Sequence, residues 1–234
     1  DWSPGIYLET GKISDIKIQN NIISNSGTTN TSFYASSGTF SGDLRIFNNV
    51  VITGSGTTAP YVIDLSRASI PGGSLLSVKN NIFGYSSSSS SGIYIFAPTS
   101  NNGNLSIDYN IYWNSTRSKQ FSFQNIPISW SDWKLKGFDT HGMNNTDPLF
   151  VNNSGSFSQD IDFQLRSSSP AINAGTDVGL STDYAGNPIS GLPDIGAFEF
   201  IPDLPPPSPV YQNSIVTNAA PSVITMSYNL DLAN

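Results

Sequence analysis

Two acids and a set of aromatic residues stand where this chain could act on a ligand. Glu9 and Asp64 each follow an outward-facing position by two residues, in the alternating segments GIYLET and YVIDLS. Tyr7 and Val62 hold the earlier places, and Tyr34 with Ser36 and Tyr94 with Phe96 repeat the pattern in SFYASS and GIYIFA. Successive side chains of a strand point to opposite faces, so these pairs mark the outer face of four related strands. Rings interleaved with carboxylates suit a carbohydrate, because rings stack on pyranose faces and acids accept hydrogen bonds from hydroxyls. With strands stacked at the usual ~4.8 Å, Glu9 and Asp64 lie two rungs, or roughly 9.6 Å, apart. That is the upper edge of the ~6.5–9.5 Å that inverting glycosidases use between their two carboxyl groups. The same acids also read as solvated strand residues, and the tyrosines as ordinary strand formers.

The strands that carry these residues belong to a repeat. GIYLET…DIKIQNNIIS, SFYASS…DLRIFNNVVI, YVIDLS…LLSVKNNIFG and GIYIFA…NLSIDYNIYW follow one another between Gly5 and Trp113. Asn21, Asn49, Asn81 and Asn110 fall at spacings of 28, 32 and 29 residues. A period in this range is the mark of a solenoid. Alternation at period two predicts three strands and three turns per copy. The inward places are Ile6, Phe33, Tyr61 or Ile63, and Ile93 in the first strand. In the second they are Ile16/Ile18, Leu44/Ile46, Leu76/Val78 and Leu105/Ile107, and in the third they begin at Ile22, Val50, Ile82 and Ile111. A single copy cannot bury its apolar face alone, whereas stacked copies share one core. A sandwich of hairpins is the alternative that this pattern leaves open. The Asn column fits a ladder at a tight bend, since Asn tolerates left-handed backbone and its amide both donates and accepts.

The pattern IxIxNNxIxxN followed by GIYL resembles the right-handed parallel β-helices of pectate-lyase-like proteins. The resemblance implies an all-β coil of about five turns with an Asn ladder. It also implies a substrate groove along the outside of the first sheet, where Tyr7, Tyr34, Tyr94 and Phe96 would contact sugar and Glu9 and Asp64 would be the acids. A lyase of this type needs a basic residue, and Arg67, just past the first strand beside Asp64, is the best placed. Lys17 with Arg45, and Lys79 with Asp108, face out together on the second sheet instead. No dense acidic cluster marks the coils, and no cofactor is called for. The later carboxylates Asp177, Asp183, Asp194 and Glu199 offer oxygen ligands for one Ca²⁺, and turn bonding accounts for them equally well.

Composition narrows the field. The 234 residues are 37% hydrophobic and only 12% charged, against about 25% charged in an average globular chain. There is no Cys and one His, so neither disulfides nor a multi-His or Cys-ligated metal site arises. The net charge of −7 argues against nucleic acid or an anionic membrane as partner. No apolar run approaches the ~20 residues of a membrane-spanning helix. His141 has no neighbouring Ser or Cys that would make a triad, and reads as a turn residue. The loops 24–31, 53–60 and 84–91 are low-complexity, with six serines from Ser86 to Ser91, and read as exposed connections.

Coils fill residues 1–116, and the repeat dissolves from Arg117. Residues 129–133 (SWSDW) predict a short capped helix. The blocks Asp147-Pro148-Leu149-Phe150, Asp162-Phe163-Gln164-Leu165, SPAINAG from Ser169, Gly186-Asn187-Pro188 and Asp194-Ile195-Gly196-Ala197-Phe198-Glu199 occur in order. Together they resemble the closing module of secreted bacterial β-helices that precedes varied cell-surface anchors, the choice-of-anchor Q type. On that resemblance 117–200 is a last coil and closing module, with Phe150, Phe163, Leu165 and Phe198 covering the open core. Residues 201–209 hold five prolines and read as a stiff linker. Residues 210–234 resemble the start of an Ig-like surface repeat. Since only Trp2 stands before the first coil as a lid, we expect preceding sequence or another chain to cover that end. The reading is a secreted or cell-surface bacterial β-helix that interacts with polysaccharide, as part of a carbohydrate-active enzyme of lyase or glycoside hydrolase type. A non-catalytic stalk or adhesin is the alternative, and fold alone does not choose between them.

Overall fold

The computed structural model describes residues 5–8, 12–25, 32–35, 38–40, 42–54, 61–70, 72–89, 92–98, 100–101, 104–152, 154 and 156–202. The chain winds through about four turns of a parallel β-solenoid. The first sheet stacks Ile6–Leu8, Phe33–Ala35, Tyr61–Asp64, Ile93–Phe96 and Phe121–Phe123 in parallel, and Ile126–Ile128 closes it as an antiparallel edge. The second holds Ile16–Gln19, Leu44–Phe47, Leu75–Lys79 and Asn104–Asp108. The third holds Ile22–Asn25, Val50–Thr53, Ile82–Ser89, Ile111–Ser115 and Met143–Asn144. A further short sheet lies between the first and second: Lys12–Ile13, Gly38–Phe40, Ala68–Ile70 and Ser100–Asn101. A turn therefore has four strands where alternation predicted three. The added strands are two or three residues long, too short to show a period of two.

Register confirms the stacking of like positions. Ile16, Leu44, Leu76 and Leu105 share one column of the second sheet, and Ile18, Ile46, Val78 and Ile107 share another. Two expectations fail in detail. In the first sheet Ile6, Phe33, Ile63, Ile95 and Phe121 form the inward column, so Ile95 takes the place expected of Ile93, which pairs with Tyr61. In the third sheet the interior is filled by Ile23, Val51, Phe83 and Tyr112. The column of Ile22, Val50, Ile82 and Ile111 faces outward instead. The cause is the bend before each of these strands. Asn20, Asn48, Asn80 and Tyr109 take φ of 54°, 51°, 57° and 59°, the left-handed region, and the reversal there changes which parity points inward.

That outward apolar column decides where residues 143–200 go. The tail runs along the third sheet and buries Phe150, Phe163, Leu165, Ile195 and Phe198 against Val50, Ile52, Ile82, Ile111 and Trp113. Covering the end of the core, expected of Phe150, Phe163, Leu165 and Phe198, falls to other residues. Helix α1 (Trp130–Leu135) is capped by a reciprocal Ser129–Asp132 box and lowers Trp133 onto Phe121, ring centroids 4.8 Å apart. Phe138 packs on Trp133 at 4.6 Å, and both are buried with the solenoid core. The tail is fitted closely. A Cβ on Gly196, whose φ is +110°, would stand 2.8 Å from Ile82 Cδ1. The Pro-rich segment after Pro202 and residues 210–234 lie outside the described residues.

Candidate functional site

The outer face of the first sheet carries one column with exposed aromatic character. Register places Tyr7, Tyr34, Asp64, Phe96 and Ser122 above one another. The Tyr7 and Tyr34 rings stack nearly parallel, 5.5 Å apart with a 6° interplanar angle. Tyr7 is 42% exposed and Tyr34 8%, so the outer ring is presented and the inner one backs it. Asp64, the next rung, is 7% exposed, and its Oδ1 accepts the backbone N–H of Ser66 at 2.9 Å.

The other expected members are not all brought here. Tyr94, expected on the outer face, is instead fully buried inside the coil, and its ring packs on Tyr85, Tyr112 and Phe121. Its hydroxyl accepts the backbone N–H of Ser115, and burial raises its pKa. Val62 joins the same cluster beside Ile63, as Tyr94 does beside Ile95. At the entry to these strands neighbouring side chains both turn inward, and simple alternation fails. Asp64 therefore sits in the column of Tyr7, two residues away from the column that alternation gave it with Glu9. Glu9 itself lies outside the described residues. The backbone of Phe96 holds its place in the column, while its side chain lies outside what is described. Arg67 is exposed in the turn after Asp64. The ion pairs resolved among the described residues lie elsewhere, between Arg45 and Asp43 and between His141 and Asp108.

The ladder is complete and has a direction. Asn21 Nδ2 donates to Asn49 Oδ1, Asn49 Nδ2 to Asn81 Oδ1, and Asn81 Nδ2 to Asn110 Oδ1, each at 2.9 Å. Each of these Oδ1 atoms also accepts the backbone N–H of the preceding rung. The first Asn of each pair works outward and holds the tail. Asn20 donates to Thr182 O, Asn48 to Asp194 O, and Asn80 to Thr176 O. The sequence offers no pairing signal for the fifth rung, which is Asp139. Its Oδ1 accepts from Asn110 Nδ2 and its Oδ2 from Tyr112 Oη and Trp133 Nε1, at 2.9, 2.6 and 2.9 Å. Complete burial nonetheless raises this carboxyl to about 6. Charge-free donors offset only part of the cost of desolvation.

His141 is tied more firmly than a free turn residue. Its Nδ1 lies 2.8 Å from Asp108 Oδ2, its backbone N–H donates to Asp108 Oδ1, and its ring stacks on Tyr109 at 4.6 Å. Burial pushes the Asp108 carboxyl up, but the hydrogen bonds from His141 and Tyr109 outweigh it and hold the pKa below the usual value. The tail carboxylates are spent on backbone. Asp194 accepts the N–H groups of Asn173 and Phe200, Asp183 those of Asn187 and Glu199, and Glu199 that of Asp194. Burial raises Glu199 to about 7, helped by the nearby charges of Asp194 and Asp183. Among the described residues no three His, Cys, Asp or Glu side chains converge as a metal ion requires. No helix of the described residues is long and apolar enough to cross a membrane. No protein-family model and no curated protein matches the sequence.

Proposed function

We propose that this chain is an extracellular β-solenoid that contacts polysaccharide through the outer face of its first sheet. The observation that carries the reading is the Tyr7–Tyr34 stack, an exposed ring with a second ring behind it, in one column with Asp64. A pyranose laid on Tyr7 would meet an aromatic face held in place by its neighbour. Asp64, the rung beyond Tyr34, and Arg67, three residues further along the same turn, would serve its hydroxyl and acidic groups. The ordered blocks from Asp147 to Glu199 support a secreted, cell-surface setting of bacterial type, since they resemble a module that precedes surface anchors. The kinship with pectate-lyase-like helices belongs to the same proposal, and with it membership of a carbohydrate-active enzyme.

The test is a glycan array on the intact chain, followed by assays for new reducing ends and for unsaturated products. Binding that falls at least tenfold in Tyr7→Ala is the expected result. Turnover by the parent chain would make the protein an enzyme, and its loss in Asp64→Asn would assign Asp64 to the chemistry. Retained turnover there would remove Asp64 from the chemistry. A second reading, a non-catalytic stalk or adhesin, is favoured by one observation: an unbroken amide ladder through every turn makes a stiff rod. An array with no positive glycan would select it.

A further inference from the structure

Asp139 ends the ladder, and it also joins two oxidisable rings. Its Oδ2 accepts from Tyr112 Oη at 2.6 Å and from Trp133 Nε1 at 2.9 Å, and all three side chains are fully buried. The shorter distance is that of a hydroxyl on a charged oxygen, ~2.5–2.7 Å. The other oxygen, Oδ1, is held by the side-chain and backbone N–H groups of Asn110, so the carboxylate is fixed against the phenol. Burial raises this carboxyl to about 6, which makes its anion a stronger base than that of an ordinary aspartate.

The buried phenol also has a neighbour that reaches solvent. Trp130, half-buried at the start of α1, lies edge-on to Tyr112 with ring centroids 5.8 Å apart. Electrons cross gaps of this size between rings, whereas a proton needs a hydrogen bond to a base. An oxidised phenol is a very strong acid, so a buried tyrosine gives up an electron easily only where its proton has somewhere to go. Two further buried tyrosines continue the row, Tyr94 at 5.0 Å from Tyr112 and Tyr85 at 5.7 Å from Tyr94. Tyr85 donates to the carbonyl of Ile93, and Tyr94 accepts the N–H of Ser115. Neither of these partners takes a proton, and Asp139 does.

We propose that Trp130, Tyr112 and Asp139 form a one-electron redox site whose substrate is a diffusible radical oxidant of the carbonate-radical class. The oxidant removes one electron from the Trp130 indole and is reduced. One electron then passes from Tyr112 to Trp130, the Tyr112 O–H bond breaks, and the proton moves to Asp139 Oδ2. The products are a neutral tyrosyl radical and a neutral carboxylic acid, both closed off from water. A small reductant of the ascorbate class returns one electron through Trp130, and the proton goes back to the phenol. Each cycle consumes one oxidant radical and one electron from the reductant and leaves the chain unchanged. The site lies at the opposite end of the coil from the tyrosine stack and does not depend on polysaccharide binding.

Pulse radiolysis of the full chain with azide radicals, which take electrons from accessible indoles first, tests it. The tryptophyl absorption is expected to turn into tyrosyl absorption in a first-order step that is independent of protein concentration and slower in deuterium oxide. Trp130→Phe and Tyr112→Phe each remove that step, and Asp139→Asn slows it at least tenfold. Near-ultraviolet circular dichroism shows whether each variant keeps the fold. Should Asp139→Asn lose it, the isotope effect in the parent chain decides the route of the proton. Tryptophyl radicals that vanish only by collision overturn the inference, and so does a step unchanged in Tyr112→Phe, which belongs to another tyrosine. A step with no isotope effect, or one as fast in a folded Asp139→Asn chain, overturns it as well.

Discussion

Asp139 shows how one substitution within a repeat changes what a position does. Four rungs are Asn, which both gives and takes a hydrogen bond, and the fifth is a carboxylate that only takes. Asp139→Asn would set an amide N–H₂ either toward Trp133 Nε1 and Tyr112 Oη or toward Asn110 Nδ2, so that a donor faces a donor where a carboxylate oxygen now accepts. We expect it to cost about 1–3 kcal/mol, the usual cost of an unsatisfied buried donor, as read by urea denaturation. Its pH dependence has a definite sign. The folded carboxyl, raised to about 6, holds its proton more tightly than the unfolded one at 3.8. Its contribution is therefore full below pH ~4 and is lost as the pH climbs through 6. Glu199, raised from 4.5 to about 7, loses its contribution over the next interval. Thermal melts should fall between pH 4 and 7, and Glu199→Gln should flatten the upper part of that decline. Loss of stability on acidification over the same range would contradict both assignments. Neither residue stands out in the sequence as buried. Asp139 lies in a DTHG turn and Glu199 near the end of the tail, and only the fold shows what surrounds them.

Among elements, the amide ladder and the end cap are the parts on which the coil depends most. Asn81 satisfies Asn49, Ile46 O, Lys79 O and Asn110 at once. Asn81→Ala would leave several buried groups without partners, and we expect a loss of about 3 kcal/mol or more at ~1–3 kcal/mol per group. Trp133 closes the core, so Trp133→Ala should cost about 3–5 kcal/mol, as for a buried aromatic side chain. Either variant that melted like the parent chain would show that the rung or the lid is dispensable. The ladder, the columns of the second sheet and the Ser129 cap were all legible, because repeated Asn pairs, strict alternation and S-x-x-D are local signals. The facing of the third sheet was not. A strand of continuous apolar residues, such as VVI or IYW, carries no parity of its own, and the left-handed residue before it sets the direction. Tyr94 departs from its expected face for a related reason, since a strand entered from a corner can turn two neighbours inward.

For the molecule as a whole, burial of the third sheet divides the core in two. Removing residues 143–200 would strip cover from Val50, Ile52, Ile82, Ile111 and Trp113 while leaving Trp133 and Phe138 over the inner core. We expect such a shortened chain to keep its far-ultraviolet β signal, to bind a hydrophobic dye strongly and to associate. A monomeric, dye-negative product would mean that the tail adds little. A Gly196→Ala change probes the same contact more gently, by pressing a methyl against Ile82 at a left-handed position. The order of the tail's sequence blocks was readable, but its destination was not, since nothing in those blocks names the surface they cover. The ladder also gives the rod a polarity. Every amide passes a hydrogen forward, and the last receiver, Asp139, has none to hand on. Turns could be duplicated anywhere upstream and still find a partner on both sides, but one added after Asp139 would face a receiver that offers it nothing. The rod thus carries its own terminator, written in the exchange of a single nitrogen for oxygen.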